Sequence, residues 1–252
     1  MLCMGEISPQ LADNETWVDQ TFEKCDDILH RQVYLGQGRQ EGLLVYVEVA
    51  VSNLMLEEHV IGLSDVQPLK SYEEGKAALL AGNGLLFLDG DTNCYKISSK
   101  GYPGLGVKKA ENEKVLRGSQ EAFTESEKIN VALIRKRLRD SRMKVEEQTV
   151  GVRSHTMTAL VYMEDLIYQG LLTTMKQQLQ QYEIDGILDS GMLEQLSEKH
   201  WLSPFPQFQT TERPDRAAAA VLEGRIVLVT DHSPQVLILP SDYNSFFQTS
   251  DD

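Results

Sequence analysis

The apolar positions of this chain recur in two blocks. "LLVYVE" (Leu43 to Glu48) is matched by "ALVYME" (Ala159 to Glu164), an offset of 164 − 48 = 116. "AALLAGNGLLFLD" (Ala77 to Asp89) is matched by "AAVLEGRIVLVTD" (Ala219 to Asp231), an offset of 231 − 89 = 142. The offsets differ by 142 − 116 = 26, so the second copy carries an insertion of about that length between the matched blocks. Words recurring in one order along a chain mark a repeated structural unit.

The elements between the blocks agree as well. Asn14 to Leu29 reads as a helix, with Val18, Phe22, Cys25 and Leu29 on one face. In the second copy Thr124 and Glu127 have capping-box spacing, followed by a helix carrying Val131, Ile134 and Leu138. Each copy continues with a short segment, a turn and a β-rich strand: "RQVYLGQGRQEGLLVYVE" and "EEQTVGVRSHTMTALVYME". Gly36, Gly38 and Gly42 allow the first turn, and Gly151 with Ser154 the second. A further helix follows in each, with Leu54, Met55, Leu56 and Val60 in one and Leu171, Leu172, Met175, Leu179 and Tyr182 in the other. Each copy closes on an Ala-rich helix, a glycine stop (Gly82, Gly224), a strand, a tight turn and a last strand.

These patterns predict an α/β fold of two similar subdomains, each a small mixed β-sheet covered by α-helices. The first subdomain is expected over 15–100 and the second over 119–240. A linker over 101–118 falls in the Gly-, Pro- and charge-rich "KGYPGLGVKKAENEKVLRG", and residues 1–14 read as a poorly ordered N-terminal segment.

Composition narrows the function. The net charge of −14 over 252 residues opposes nucleic-acid binding and broad attachment to an anionic membrane surface. Cys3, Cys25 and Cys94 are far apart and form no CxxC, which fits reduced, buried thiols. "MLCMGEISPQ" lacks the basic and apolar regions of a signal peptide, and nowhere do 18 apolar residues run together.

Most candidate chemistry yields to local structure. "GYPGLG" lacks the Lys-Ser/Thr of a phosphate loop and reads as a flexible connection. Asp231, His232 and Ser233 are direct neighbours, which suits a β-turn better than a nucleophilic triad. The five histidines (His30, His59, His155, His200, His232) show no metal-ligand spacing. Asp185 and Asp189 sit in Asp-Gly and Asp-Ser-Gly, which are turn and cap signals rather than an acid–base pair. "RKRLRDSRMK" (Arg135 to Lys144) complements a helix C-terminus and reads as a solvated helix face. No catalytic residue, metal ligand or cofactor is assigned.

"LSPFPQFQTTERPDR" is less readily absorbed. Pro214 suits the first turn of a helix and Asp215 its positive end. Glu212, Arg213 and Arg216 are left over, and Arg suits bidentate carboxylate contacts between parts of a protein. The ligand-binding or interface candidates are therefore Glu212, Arg213, Asp215 and Arg216, joined by Arg117 and Arg135.

The words "RGSQEAFTESEKINVALIRKRLRD", "VGVRSHTMTALVYMED", "IDGILDSGMLEQL" and "SPFPQFQTTERPDRAAAAVLEGRIVLVTDHSPQVLILP" resemble the A subunit of the GerA-type nutrient germinant receptors of endospore-forming bacteria. The resemblance runs from about Leu116 to Pro240; the first subdomain follows the family in plan with weaker words, and "DHSP" replaces a turn usually written Asp-Gly-Thr-Pro. It implies a non-enzymatic, soluble cytosolic domain preceding a polytopic membrane domain, with 241–252 as the lead-in. It further implies receptor B and C subunits as partners, a place on the cytoplasmic face of the spore inner membrane, and a part in receptor assembly and transduction of the nutrient signal. The alternative is a domain binding small nutrient germinants in the cleft between subdomains.

Overall fold

The computed structural model describes residues 5–36, 40–49, 66–98, 119–182, 184–197 and 207–241. The helix expected around Leu54 to Val60, the "GYPGLG" loop, the 101–118 linker, Arg117, the Pro204–Pro206 approach and residues 242–252 lie outside the described residues. The chain divides into two compact units, Met1–Gly104 with Arg139–Ser141, and Leu105–Leu138 with Arg142–Asp252.

Unit 1 contains α1 (Leu11–Thr21), β1 (Ile28–Leu35), β2 (Gln40–Val47), β3 (Val66–Leu69), α2 (Tyr72–Leu80), β4 (Gly84–Leu88) and β5 (Cys94–Ile97). Unit 2 contains α3 (Glu127–Arg135), β6 (Met143–Val150), β7 (Thr156–Met163), α4 (Gln169–Gln181), α5 (Ser190–Ser197), β8 (Gln209–Thr211), α6 (Pro214–Leu222), β9 (Ile226–Thr230) and β10 (Val236–Leu239). Each forms a five-stranded sheet, in the order β1-β2-β4-β5-β3 and β6-β7-β9-β10-β8. The two orders are the same once the copies are aligned.

The duplication extends to single hydrogen bonds. Asp89 N donates to Glu41 O at 3.0 Å, and Asp231 N to Met157 O at 3.0 Å. Gly90 N donates to Pro9 O at 2.8 Å, and His232 N to Glu125 O at 2.7 Å. The acceptors are 157 − 41 = 116 and 125 − 9 = 116 apart, and the donors 142 apart, the two offsets of the apolar words.

Every strand pairing in both sheets is antiparallel, where the sequence patterns predicted mixed sheets. The reason lies in where the crossover lands. β3 and β4 run parallel and are joined through α2, but β5 lies between them and opposes both. The connection β8–α6–β9 is split by β10 in the same way. This is the split β-α-β arrangement, in which a helical crossover creates no parallel neighbours.

Two further boundaries differ from expectation. α1 starts at Leu11, inside the stretch expected to be poorly ordered, with Ile7 buried before it and Asn14 buried within it. It also stops at Thr21 rather than near Leu29, because the chain turns through Lys24 at φ 59° and Ile28 opens β1. Phe22 and Cys25 still reach the core from that turn, which is why the helical spacing persisted past the helix.

The sheet of unit 2 is covered on both faces. One face packs Val145, Val161, Val227, Val229 and Ile238 beneath α3 and α6. The other packs Leu160, Leu228 and Leu237 beneath Leu172, Met175 and Leu179 of α4 and Leu193 of α5. A strand covered on both sides needs no polar alternation, hence the unbroken "IVLVT" of β9. α6 lies close because Ala217, Ala218 and Ala220 face the sheet. Gly224 ends it at φ +80°, where an added Cβ would stand 2.6 Å from the Leu166 carbonyl oxygen.

Candidate functional site

The charged cluster at the start of α6 is built by its own backbone. Arg213 precedes Pro214, and a residue before proline is driven to extended geometry; it has φ −103° and ψ 117°. Its N–H donates to Thr211 Oγ1 at 3.1 Å. In that posture the guanidinium folds over the first helical turn, donating from Nε to Asp215 Oδ1 at 3.1 Å and from Nη2 to Oδ2 at 2.5 Å. A two-point fork of this kind fixes orientation as well as charge. The Arg213 side chain is 10% exposed and that of Asp215 33%.

A second set of charges comes from the end of α3. Arg137 donates from Nη2 to Glu121 Oε2 at 2.7 Å and to Ser119 Oγ at 3.0 Å, and from Nη1 to Leu133 O at 2.9 Å. Lys136 Nζ reaches Glu121 Oε1 at 3.0 Å. Burial pushes the Asp215 carboxyl upward, but the hydrogen bonds and charge of Arg213, with a smaller contribution from the charge of Arg137, hold it below the usual carboxylate range. Burial likewise opposes ionisation of Glu121, and its bonds to Lys136 and Arg137 outweigh it, so that this carboxyl is also held low. Arg137 thus bonds Glu121 directly and adds a minor charge effect at Asp215, which relates the two acids as a loose charged seam between the end of α3 and the start of α6.

Arg213 and Asp215 of the predicted set pair directly. Glu212 accepts from Gln235 Nε2 at 3.2 Å while its carbonyl accepts from Phe123 N at 2.9 Å. Arg216 lies on the exposed side of α6. Arg135 is fully buried and donates from Nη1 to Met143 O at 2.9 Å, where β6 begins. Arg117 lies outside the described residues. Glu121, Lys136 and Arg137 were not among the predicted site residues. The basic stretch from Arg135 signalled Lys136 and Arg137, whereas nothing local marked Glu121.

The chemistry of the seam is that of a clamp. Asp215 and Glu121 are both held ionised by the cations bonded to them, which fixes the charge of the cluster rather than leaving it to titrate near neutral pH. In the Asp231-His232-Ser233 turn, His232 Nε2 lies 3.6 Å from Asp231 Oδ2, while the Ser233 hydroxyl is bonded to Ser190 and Gln235. Asp231 Oδ1 accepts from Glu127 N at 3.0 Å and so caps α3, in place of the expected capping box; Ser126, the residue before the helix, makes no side-chain cap. Ser233 Oγ bonds Ser190 Oγ at 2.7 Å, and His232 stands at positive φ on the turn. Among the described residues no three His, Cys, Asp or Glu side chains are grouped as metal ligands, and no helix is long and apolar enough to cross a membrane.

Comparison with known proteins places this architecture. The family model described as Bacillus/Clostridium GerA spore germination protein matches residues 52–252. An uncharacterized membrane protein of Bacillus subtilis, YfkQ, is 32% identical over 268 residues, covering 98% of this chain and 52% of that protein. Spore germination protein KA of Bacillus subtilis is 30% identical over 270 residues, covering 98% and 50%. The chain therefore spans about half the length of these relatives. The crystal structure of the N-terminal domain of the A subunit of the Bacillus megaterium spore germinant receptor GerK3 superposes with a TM-score of 0.73 at 24% identity, covering 95% of this chain and 98% of that one, and so shares the fold. With the family model spanning most of the sequence and a 30% identical germination protein covering nearly all of it, the chain belongs to the GerA family of spore germination proteins.

Proposed function

We propose that this chain is the N-terminal domain of a germinant receptor A subunit, and that it serves assembly and signal coupling rather than catalysis or nutrient capture. The observation that carries this reading is the clamp of Arg213 on Asp215. "TERPDR" has no counterpart word in the first copy. Its Asp215 is held ionised by Arg213, as Glu121 is by Lys136 and Arg137, an arrangement suited to ordering the start of α6 and the end of α3. Its partners on this reading are the receptor B and C subunits and the membrane domain of its own subunit, with the domain on the cytoplasmic face of the spore inner membrane.

Charge reversal in the full-length receptor tests it. Arg216 is exposed and Arg213 is clamped, so the two separate surface from scaffold. Arg216→Glu is expected to leave the subunit at normal level while slowing nutrient-triggered germination. Arg213→Glu is expected to lower the subunit level itself. Normal germination with Arg216→Glu would count against coupling through this face. Calorimetric binding of an amino acid or sugar germinant by the isolated chain, at millimolar affinity or tighter, would instead support a ligand-binding domain.

A further inference from the structure

On the α4 and α5 side of the second sheet, one cross-strand row is polar. Gln148 of β6 is the register partner of Thr158 of β7, and Thr158 that of Thr230 of β9. The next row on that face is Glu146, Leu160 and Leu228, and the two leucines pack with Leu172, Met175 and Ile187. Residues two apart on a strand share a face, so the polar row points into the same layer. Thr158 and Thr230 are both 0% exposed. Neither of their hydroxyls, nor the buried Nε2 of Gln148, has a hydrogen-bond partner among the described residues. By strand pairing, the corresponding row of unit 1 is Val33, Gly42 and Leu88. The polar row is therefore a feature of the second copy alone.

Beside this row runs a strap of residues 184–190. It is tied to the β6–β7 turn through Val152 N to Ile184 O at 2.8 Å and Arg153 N to Asp185 O at 2.8 Å. Ile187 N donates to Ser154 Oγ at 3.1 Å, and Thr156 Oγ1, one row along, donates to Ile187 O at 2.5 Å. Ser190 meets Ser233 at the strap's far end.

We propose that Gln148, Thr158 and Thr230 form an internal hydration site sealed by this strap. Buried polar atoms are rarely left unpaired in folded proteins. One buried water typically makes about three hydrogen bonds, and three buried polar atoms on one row match that number. The donors and acceptors also match: the amide N–H of Gln148 donates, and each threonine hydroxyl can donate or accept. The row carries no charge, so it suits a neutral hydroxylic molecule of the size of water and would disfavour an ion or a zwitterion taken out of solvent. Lifting the strap uncovers atoms already bonded to water, so it costs less than uncovering the leucine rows, and the strap becomes the part of this face that opens first.

The test uses the whole 252-residue chain. A high-resolution crystal structure is expected to show an ordered solvent peak within hydrogen-bond distance of Gln148 Nε2, Thr158 Oγ1 and Thr230 Oγ1. The double variant Thr158→Val/Thr230→Val keeps the shape and removes the hydroxyls. It is expected to lose that peak and to melt about 2–4 °C lower. Thr158→Ser/Thr230→Ser should retain the peak. By hydrogen exchange, the amides of Val152, Arg153 and Ile187 should exchange faster than those of β7 and β9. A row without solvent in the unsubstituted chain, or a valine variant that melts at the same or a higher temperature, overturns the proposal.

Discussion

Asn14 and Asn130 hold the same place in the two units. Each is fully buried, and each donates from Nδ2 to the carbonyl oxygen six residues before it, Ser8 at 2.9 Å and Thr124 at 2.7 Å. Their separation is 130 − 14 = 116, the offset of the apolar words. Around this shared bond the copies diverge. Asn14 Oδ1 accepts from the Tyr72 hydroxyl at 2.7 Å, while Asn130 Oδ1 accepts from Thr124 N at 2.7 Å. In both units the amide closes the loop entering the first helix onto the helix itself.

Truncating either amide should therefore be costly. Asn130→Ala leaves the Thr124 N–H and carbonyl without this partner in a part-buried loop; Asn14→Ala removes the acceptor of the Tyr72 hydroxyl proton, which keeps only its bond from Ser8 N, and the donor to the Ser8 carbonyl. Each is expected to destabilise the protein by about 3 kcal/mol, because unmade bonds cost more than made bonds contribute. Denaturant unfolding measures this; a loss within about 0.5 kcal/mol, ordinary for a surface change, would show that the amides are not anchors.

The clamped acids predict an acid-sensitive fold. Asp215 and Glu121 are both held below the ordinary carboxylate range, and Asp91 of unit 1 is held low as well, by its bond from the Tyr95 hydroxyl and then by Asn93. A carboxyl depressed on folding stabilises above its unfolded pKa, about 3.9 for Asp and 4.3 for Glu, and that contribution is lost as pH falls through the lower folded value. The melting temperature should change little from pH 7 to about 5 on this account and fall below roughly pH 4. Asp215→Asn and Glu121→Gln should each lower it at neutral pH and flatten the acid limb. Parallel curves for variant and parent would remove these acids from the account.

Two glycines with similar dihedrals should tolerate alanine differently. Gly224 and Gly90 both have φ near +80°, but a Cβ at Gly224 meets the Leu166 carbonyl oxygen at 2.6 Å, whereas at Gly90 nothing lies within 4 Å. Gly90→Ala is expected to cost about 1 kcal/mol, the left-handed penalty alone. The counterpart of Gly90 is His232 at φ 63°, so the copies themselves show that a side chain is tolerated there. Gly224→Ala should cost at least about 3 kcal/mol, since the backbone of one element must also move. Thermal melts of the pair decide it, and equal losses would contradict the close approach.

Cys94 should be inert in the native chain. It is 0% exposed on β5, and burial pushes its thiol up to about 12. The thiolate is the reactive species, so a thiol reagent at pH 8 should label Cys94 only after unfolding. Labelling of the folded protein at the rate of a free thiol would show that unit 1 opens at β5.

Much of this architecture was legible along the chain. The offsets of 116 and 142 separate not only words but bonds, strand orders and the paired asparagines. The Pro214 start and Gly224 stop of α6 were readable because both follow from backbone sterics at single residues. The direction of neighbouring strands was not, since it depends on β5 and β10 inserting between strands joined by a helix. Nor was the end of α1, where a turn keeps Phe22 and Cys25 on the core face at helical spacing.

The charged cluster divides along the same line. Sequence by itself determined that Pro214 and Asp215 open a helix, because those preferences act within one or two residues. Only the tertiary structure decided that Arg213 closes on Asp215, that Glu212 turns to Gln235, and that Arg137 ties to Glu121 16 residues away. The polar row of Gln148, Thr158 and Thr230 belongs to that second class. Each residue is unremarkable on its own strand, and the row exists only where three strands in register place them side by side beneath a buried layer.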